Sequence, residues 1–188
     1  MRKSGILLPV SSLPSAYGIG CFSGEAYEFI DKLKAAGQSY WQILPLGPTS
    51  YGDSPYQSFS SFAGNPYFIS LDDLVEDGYL TREDCISCDF GDNEEYVDYE
   101  KLYKNRFLLL RKAYENSHIK DNVEFQSFVL ENKGWLDNYA LYMAVKTHFN
   151  NTCWVEWDED IKLRKPEALK KYQKEYADEV EFYQFQQY

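Results

Sequence analysis

Between Tyr51 and Phe68 the chain reads YGDSPYQSFSSFAGNPYF, eighteen residues that carry six aromatic rings, one aspartate and four serines. Two Gly and two Pro break any helical or strand period there, so the rings stand on a loop and not on an element that builds a core. A tyrosine ring has a flat apolar face and a polar edge. That combination suits ligands that are themselves half apolar, sugars above all. Aromatics make up 18% of the 188 residues, with 17 Tyr, 12 Phe and 4 Trp. On composition alone a tyrosine-filled core is the simpler account, so the position of the loop must decide.

A second group with chemical potential is the C-x-x-C of REDCISCDFG, Cys85 and Cys88, which is half a zinc site or a redox pair. A further ligand pair at metal spacing is missing, and the two histidines, His118 and His148, lie thirty residues apart. The expectation is no metal and reduced thiols, with Cys21 and Cys153 included. The net charge of −11 and a pI near 4.6 repel polyanions, so nucleic acid and acidic membrane surfaces are poor partners. No apolar run approaches the length of a membrane span. The start, MRKSGILLPV, is basic but too briefly apolar for a signal peptide, and no cleavage site follows. A cytoplasmic protein is expected.

The elements that must position the rings can be read from either side of them. Ile6 to Val10 is a short apolar run ending at a Ser- and Pro-containing turn, the pattern of a buried parallel strand. SGEAYEFIDKLKAAG reads as a helix with Ser23 as its cap, Ala26, Phe29, Ile30 and Leu33 as its apolar face, and Gly37 at its end. YWQILPLGP reads as a second buried strand, which completes the footprint of one βαβ unit, about 40 residues. The aromatic loop therefore follows the carboxyl end of the second strand, where α/β folds bind ligands.

Beyond Phe68 the reading is mostly helical. Ser70 caps a short helix, and a long one carries Tyr103, Phe107, Leu110 and Tyr114 at three- and four-residue spacing. One or two more helices surround Gly134. NNTCWVEWDEDIKLRKPEAL reads as a loop, and a final helix begins near Pro166 and runs to the end of the sequence. Leu169, Tyr172, Tyr176, Val180, Tyr183 and Gln187 share one face of it. A complete (β/α)8 barrel takes about 250 residues. The expected fold class is α/β: the N-terminal part of a (β/α)8 TIM barrel, its first two strands, with a large mostly helical insertion. The expected segments are 1–70 for the start of the barrel and its aromatic rim loop, 71–165 for the helical insertion, and 166–188 for a truncated helix leading back toward the barrel.

SGILLPVSSLPSAYGIG, GQSYWQILPLGPTSYGDSPYQSFSSFAGNPYFISLDDL, VDYEKLY and DNYALYMAVK resemble the 4-alpha-glucanotransferases of the amylomaltase or disproportionating-enzyme type, and the likeness runs in order from Ser4 to the C-terminus. Pro9–Val10 stands where many relatives carry His-Pro, a departure from which little follows. The resemblance implies a (β/α)8 barrel with helical insertions that cuts an α-1,4-glucan and moves the fragment to another glucan or to glucose. It implies no cofactor and a retaining double displacement, with an Asp nucleophile, a Glu acid/base and a second Asp that steadies the distorted sugar. Those three carboxylates lie on later strands, beyond residue 188, so no catalytic residue is carried over and this chain alone is expected to be inactive. The expected partners are maltooligosaccharides, amylose and other α-1,4-glucans. By the same resemblance Tyr56 lies flat against the sugar beside the broken bond. Asp53 and Ser54 make polar contacts or hold the turn, with Gly52 and Pro55 fixing its path. Tyr51 and Tyr103 match a pair that forms a secondary glucan site in some relatives; Tyr103 equally fits a helix core face. The alternative is a non-catalytic α-glucan-binding protein that kept the aromatic rim.

Overall fold

The computed structural model describes residues 2–50, 52–93 and 95–188. The chain divides into two compact units, Met1–Ser117 and His118–Tyr188.

In the first unit, strand β1 (Gly5–Leu7), helix α1 (Gly24–Ala35) and strand β2 (Tyr40–Gln42) form one βαβ unit. The strands are parallel, with Gly5 opposite Tyr40, Ile6 opposite Trp41 and Leu7 opposite Gln42. Both are shorter than the sequence suggests. Val10–Ser12 is a 3-10 turn, because Pro9 has no N–H to extend the ladder, and Pro45 interrupts the second run in the same way. The strands were also expected to be buried, yet Ile6, Leu7 and Tyr40 are exposed. One crossover helix covers little of a two-stranded sheet. The core instead gathers at the carboxyl ends, where Val10, Leu13 and Ala26 pack with Leu8, Phe29, Trp41, Ile43, Leu46 and Phe68. Trp41 Nε1 donates to the Leu8 carbonyl at 2.8 Å, which locks the two strands together just below the loop that follows β2.

Helix α1 ends as its sequence predicts. Gly37 takes φ 71°, Gly37 N–H donates to Lys34 O and Gln38 N–H to Leu33 O, the paired bonds of a Schellman motif. Its start differs from expectation, since the buried Ser23 hydroxyl donates to the Glu25 carboxylate and caps no backbone N–H. Its face differs too, with Ala26 buried, Phe29 and Leu33 half-buried, and Ile30 exposed.

Helix α2 (Leu71–Glu76) is capped by Ser70, whose Oγ accepts from Asp73 N–H at 3.1 Å. Helix α3 (Arg82–Ile86) opens with a capping box between Thr81 and Asp84, and Lys112 Nζ adds a 2.6 Å contact to Asp84. Lys112 lies on α4 (Tyr99–Ser117), whose buried face is Leu102, Arg106, Leu109, Leu110, Ala113 and Tyr114. The expected face is thus only half right. Leu110 and Tyr114 are buried, Phe107 is half-buried and Tyr103 is exposed. The stripe turns because Arg106 is inside: its guanidinium is fully buried, donates through Nη2 to the Ile69 carbonyl and lies beside the buried Cys21 thiol. Burial pushes its pKa down.

In the second unit, α5 (Val123–Glu131) and α6 (Lys133–His148) break at Asn132, one residue before α6 begins, and Gly134 lies within the first turn of α6. The 150–165 stretch, expected as a loop, holds a 3-10 turn at Trp154–Glu156 and the single-turn helix α7 (Glu159–Lys162). Pro166 opens α8 (Pro166–Glu175) as expected. The helix does not continue unbroken. Tyr176 leaves helical geometry at φ −111°, ψ 32°, and α9 (Ala177–Phe185) follows and packs on α6. The Tyr176 hydroxyl lies 2.8 Å from His148 Nδ1 and 3.0 Å from Glu175 Oε1, contacts that favour the break at a residue whose ring reads as helix face. Of the expected face, Tyr172, Val180 and Tyr183 are buried, and Leu169, Tyr176 and Gln187 half-buried.

Candidate functional site

The loop after β2 holds its shape mainly through main-chain contacts. Asn65 N–H donates to Leu46 O at 2.8 Å, tying the far end of the loop to the chain just past β2. Asn65 Oδ1 accepts from Tyr67 N–H at 3.0 Å and caps the 3-10 turn Pro66–Phe68. Serines add side-chain bonds. Ser50 Oγ donates to Gln57 O, Ser58 Oγ to Ser60 O, and Ser60 Oγ accepts from Phe62 and Ala63 N–H. Of the loop's rings, Tyr67 and Phe68 are packed inward, against Phe107 and Phe22 respectively.

Ser54 holds the turn: its Oγ accepts from Tyr56 N–H at 3.3 Å and its carbonyl from Gln57 N–H at 3.0 Å. Gly52, at φ 93°, and Pro55 set the path. Tyr56 then stands 73% exposed over an open groove of about 500 Å³ shared with Pro45, Phe62 and the Ser58–Ser61 edge. Phe62 is equally exposed and was not singled out in the sequence. An aromatic residue six places along the same Ser-rich loop was the available signal.

Asp53 points elsewhere. Its backbone is left-handed, φ 53°, and it lines a small cavity of about 30 Å³ with Pro9, Thr49, Asn65, Tyr67 and Tyr99. Burial pushes its carboxyl pKa up. Tyr67 and Tyr99 have raised pKa values, first from burial and next, for both, from the Asp53 charge. Tyr67, Asn65 and Tyr99 are the residues that sequence reasoning missed. Only the helix-cap pattern Asn65-Pro66 marked the place.

Tyr103 is exposed on α4, and its ring meets Phe107 at 5.5 Å; Phe107 meets Tyr67 at 5.7 Å. An aromatic chain thus runs from Tyr103 to the wall of the Asp53 cavity. Tyr51 lies outside the described residues. Ser54 and Tyr56 are therefore brought together, Asp53 is turned to the cavity beside them, and Pro55 lines both spaces.

The cysteines are free thiols. Burial raises the pKa of Cys21, Cys85 and Cys88, which makes them weak nucleophiles. Among the described residues no three His, Cys, Asp or Glu side chains gather as a metal site, and no helix is long and apolar enough to cross a membrane.

The chain is similar to known proteins in sequence and in fold. Residues 8–188 match the family described as 4-alpha-glucanotransferase. A 4-alpha-glucanotransferase of Clostridium butyricum is 53% identical over 95% of this chain, and one of Streptococcus pneumoniae serotype 4 is 50% identical over 100% of it. The chain spans 37% of the length of each. The amylomaltase of Streptococcus agalactiae, solved in complex with acarbose, superposes with a TM-score of 0.95 at 41% identity, covering 100% of this chain and 38% of that one. The amylomaltase of Corynebacterium glutamicum, at 19% identity and a TM-score of 0.70, shares the fold. The order of elements, the loop after β2 and the match over nearly the whole sequence lead to one assignment: the chain belongs to the 4-alpha-glucanotransferase family.

Proposed function

We propose that this chain supplies part of the glucan-binding rim of a 4-alpha-glucanotransferase, an enzyme that moves a segment of an α-1,4-glucan to another glucan or to glucose. The observation that carries the reading is the exposed ring of Tyr56, held over an open groove at the carboxyl end of a parallel βαβ unit. A pyranose has an apolar C–H face, and a flat ring against it also shields a developing oxocarbenium ion from water. In this reading Tyr56 stacks on the sugar beside the broken bond, Ser54 fixes the turn beneath it, and Asp53 supports it from the cavity. Tyr51 and Tyr103 form a secondary glucan site. Maltooligosaccharides and amylose are the substrates, the enzyme is cytoplasmic, and neither nucleic acid nor membrane is a partner.

The two strands begin a (β/α)8 barrel, 71–165 is its helical insertion, and 166–188 leads back toward it. A retaining double displacement needs two carboxyl groups about 5–5.5 Å apart across the scissile bond. In this reading they come from the segments of the relatives that this chain does not span, and no cofactor is required. The test compares this chain with a chimera in which the sequence replaces the matching segment of the Streptococcus pneumoniae relative. With maltotriose as substrate, chromatography should show glucose and longer oligomers from the chimera and none from the chain alone. A folded chimera with no activity, or a chain active by itself, overturns the proposal.

A further inference from the structure

We propose that Cys85 and Cys88 form a reversible dithiol–disulfide pair, a redox-sensing site that a low-molecular-weight disulfide such as oxidised glutathione closes on the folded chain. The inference stands apart from the glucan reading. Cys85 lies in the last turn of α3, and Cys88 lies two residues past the end of that helix.

The backbone already holds the pair at bonding range. Cys88 N–H donates to the Cys85 carbonyl at 3.3 Å and closes a four-residue turn. Such a turn keeps its end Cα atoms under about 7 Å apart, and a disulfide spans about 4.4–6.8 Å between Cα atoms. The Cys88 sulfur also lies on the right side. It donates to the Asp84 carbonyl at 3.5 Å, and the carbon of that carbonyl is bonded to the Cys85 nitrogen. The Cys88 thiol is near enough for its charge to act on Cys85. What separates the reduced from the oxidised state is side-chain rotation on a turn that is already made.

The two thiols differ in access, and access sets the order of events. Cys85 is fully buried, with Arg106 nearby, whereas Cys88 is half-buried. The Cys88 thiolate attacks one sulfur of oxidised glutathione. The glutathione S–S bond breaks, and one glutathione leaves as a thiolate that takes up the proton Cys88 released. Cys85 then gives up its proton and attacks the Cys88 sulfur of the mixed disulfide, and the second glutathione leaves as a thiol. Two protein thiols are oxidised to one disulfide, and one glutathione disulfide is reduced to two thiols. Burial raises the pKa of both cysteines, so the first step is slow near neutral pH. The second step is intramolecular and gains from proximity. In a reducing compartment a pair of this kind is transient and redox-sensing.

The test treats the folded chain with oxidised glutathione at about pH 8 until the exposed Cys153 is glutathionylated. Free thiols are then blocked, the chain is digested with trypsin, and the peptide masses are read. Residues 83–101 form one tryptic peptide that holds both Cys85 and Cys88, while Cys21 and Cys153 fall in others. That peptide should escape the blocking reagent, weigh about 2 Da less than the dithiol, and regain two free thiols with dithiothreitol. Cys85→Ser should stop at the mixed disulfide of Cys88 with glutathione, and Cys88→Ser should leave the buried Cys85 unmodified. If Cys85→Ser fails to fold, the wild-type chain and Cys88→Ser decide. A wild-type peptide that stays reduced while Cys153 is modified, stops at the glutathione adduct, or closes only in urea overturns the proposal.

Discussion

Replacing Tyr56 by alanine isolates the contact on which the functional reading depends. The ring is 73% exposed, so it contributes little to folding and has most of its surface left to offer a sugar. An aromatic side chain presents about 150–250 Å², and one face of the exposed fraction amounts to roughly 55–90 Å². At ~25 cal/mol/Å² that face is worth roughly 1.4–2.3 kcal/mol when a sugar covers it. A contact that tightens as the sugar ring flattens appears in kcat, whereas a uniform contact appears in KM alone. Tyr56→Ala, made in the chimera and assayed on maltotriose, should therefore lower kcat/KM about ten- to fiftyfold with most of the loss in kcat. Tyr56→Phe should stay within about twofold, because the stacking face survives. A folded Tyr56→Ala chimera with unchanged kcat and KM would refute the reasoning and leave the ring as part of the scaffold.

Two further outcomes test the frame that carries the site. Gly37→Ala places a Cβ at φ 71° where no atom lies within 4 Å, so the cost is backbone strain alone, about 1 kcal/mol by chemical denaturation; a neutral result would contradict the Schellman argument. Asp84 is held at about 2 by the hydrogen bond from Lys112 and by Thr81, below its unfolded value of about 3.9, so its contribution is present above pH 4 and is lost as pH falls toward 2. Asp84→Asn should melt below wild type at pH 6, with the gap closing between about pH 4 and 2; a gap that persists unchanged to pH 2.5 would rule the linkage out.

Local signals were legible where one residue type carries the whole argument. Gly37 and Ser70 marked helix ends because left-handed backbone and side-chain capping are satisfied within a few residues. Pro166 marked a start for the same reason. The stripe on α4 was misread because the pattern counts only apolar residues as core, and the residue that goes inside is Arg106, drawn by the Ile69 carbonyl. The break at Tyr176 was invisible for a similar reason: its hydroxyl contacts reach His148, twenty-eight residues back. At the site, the order of strand, loop and rings placed Tyr56 on the rim. What periodicity does not encode is that Asp53 turns to a cavity walled by Tyr67 and Tyr99, since Tyr99 arrives from a distant helix. The extent of strand burial was equally out of reach, because it depends on what packs over a sheet and not on the strands' own sequence.

The serine-built frame of the 50–65 loop has a consequence for how this rim can diversify. Because the loop's turns around it are closed by hydroxyls and main-chain groups, the exposed residue at position 56 can be exchanged without rebuilding the loop. Selection can then act on ligand preference at that position almost free of a folding constraint. A saturation library at Tyr56 should accordingly yield mostly soluble variants that differ in what they hold, whereas a library at Ser58, Ser60 and Asn65 should yield mostly misfolded ones.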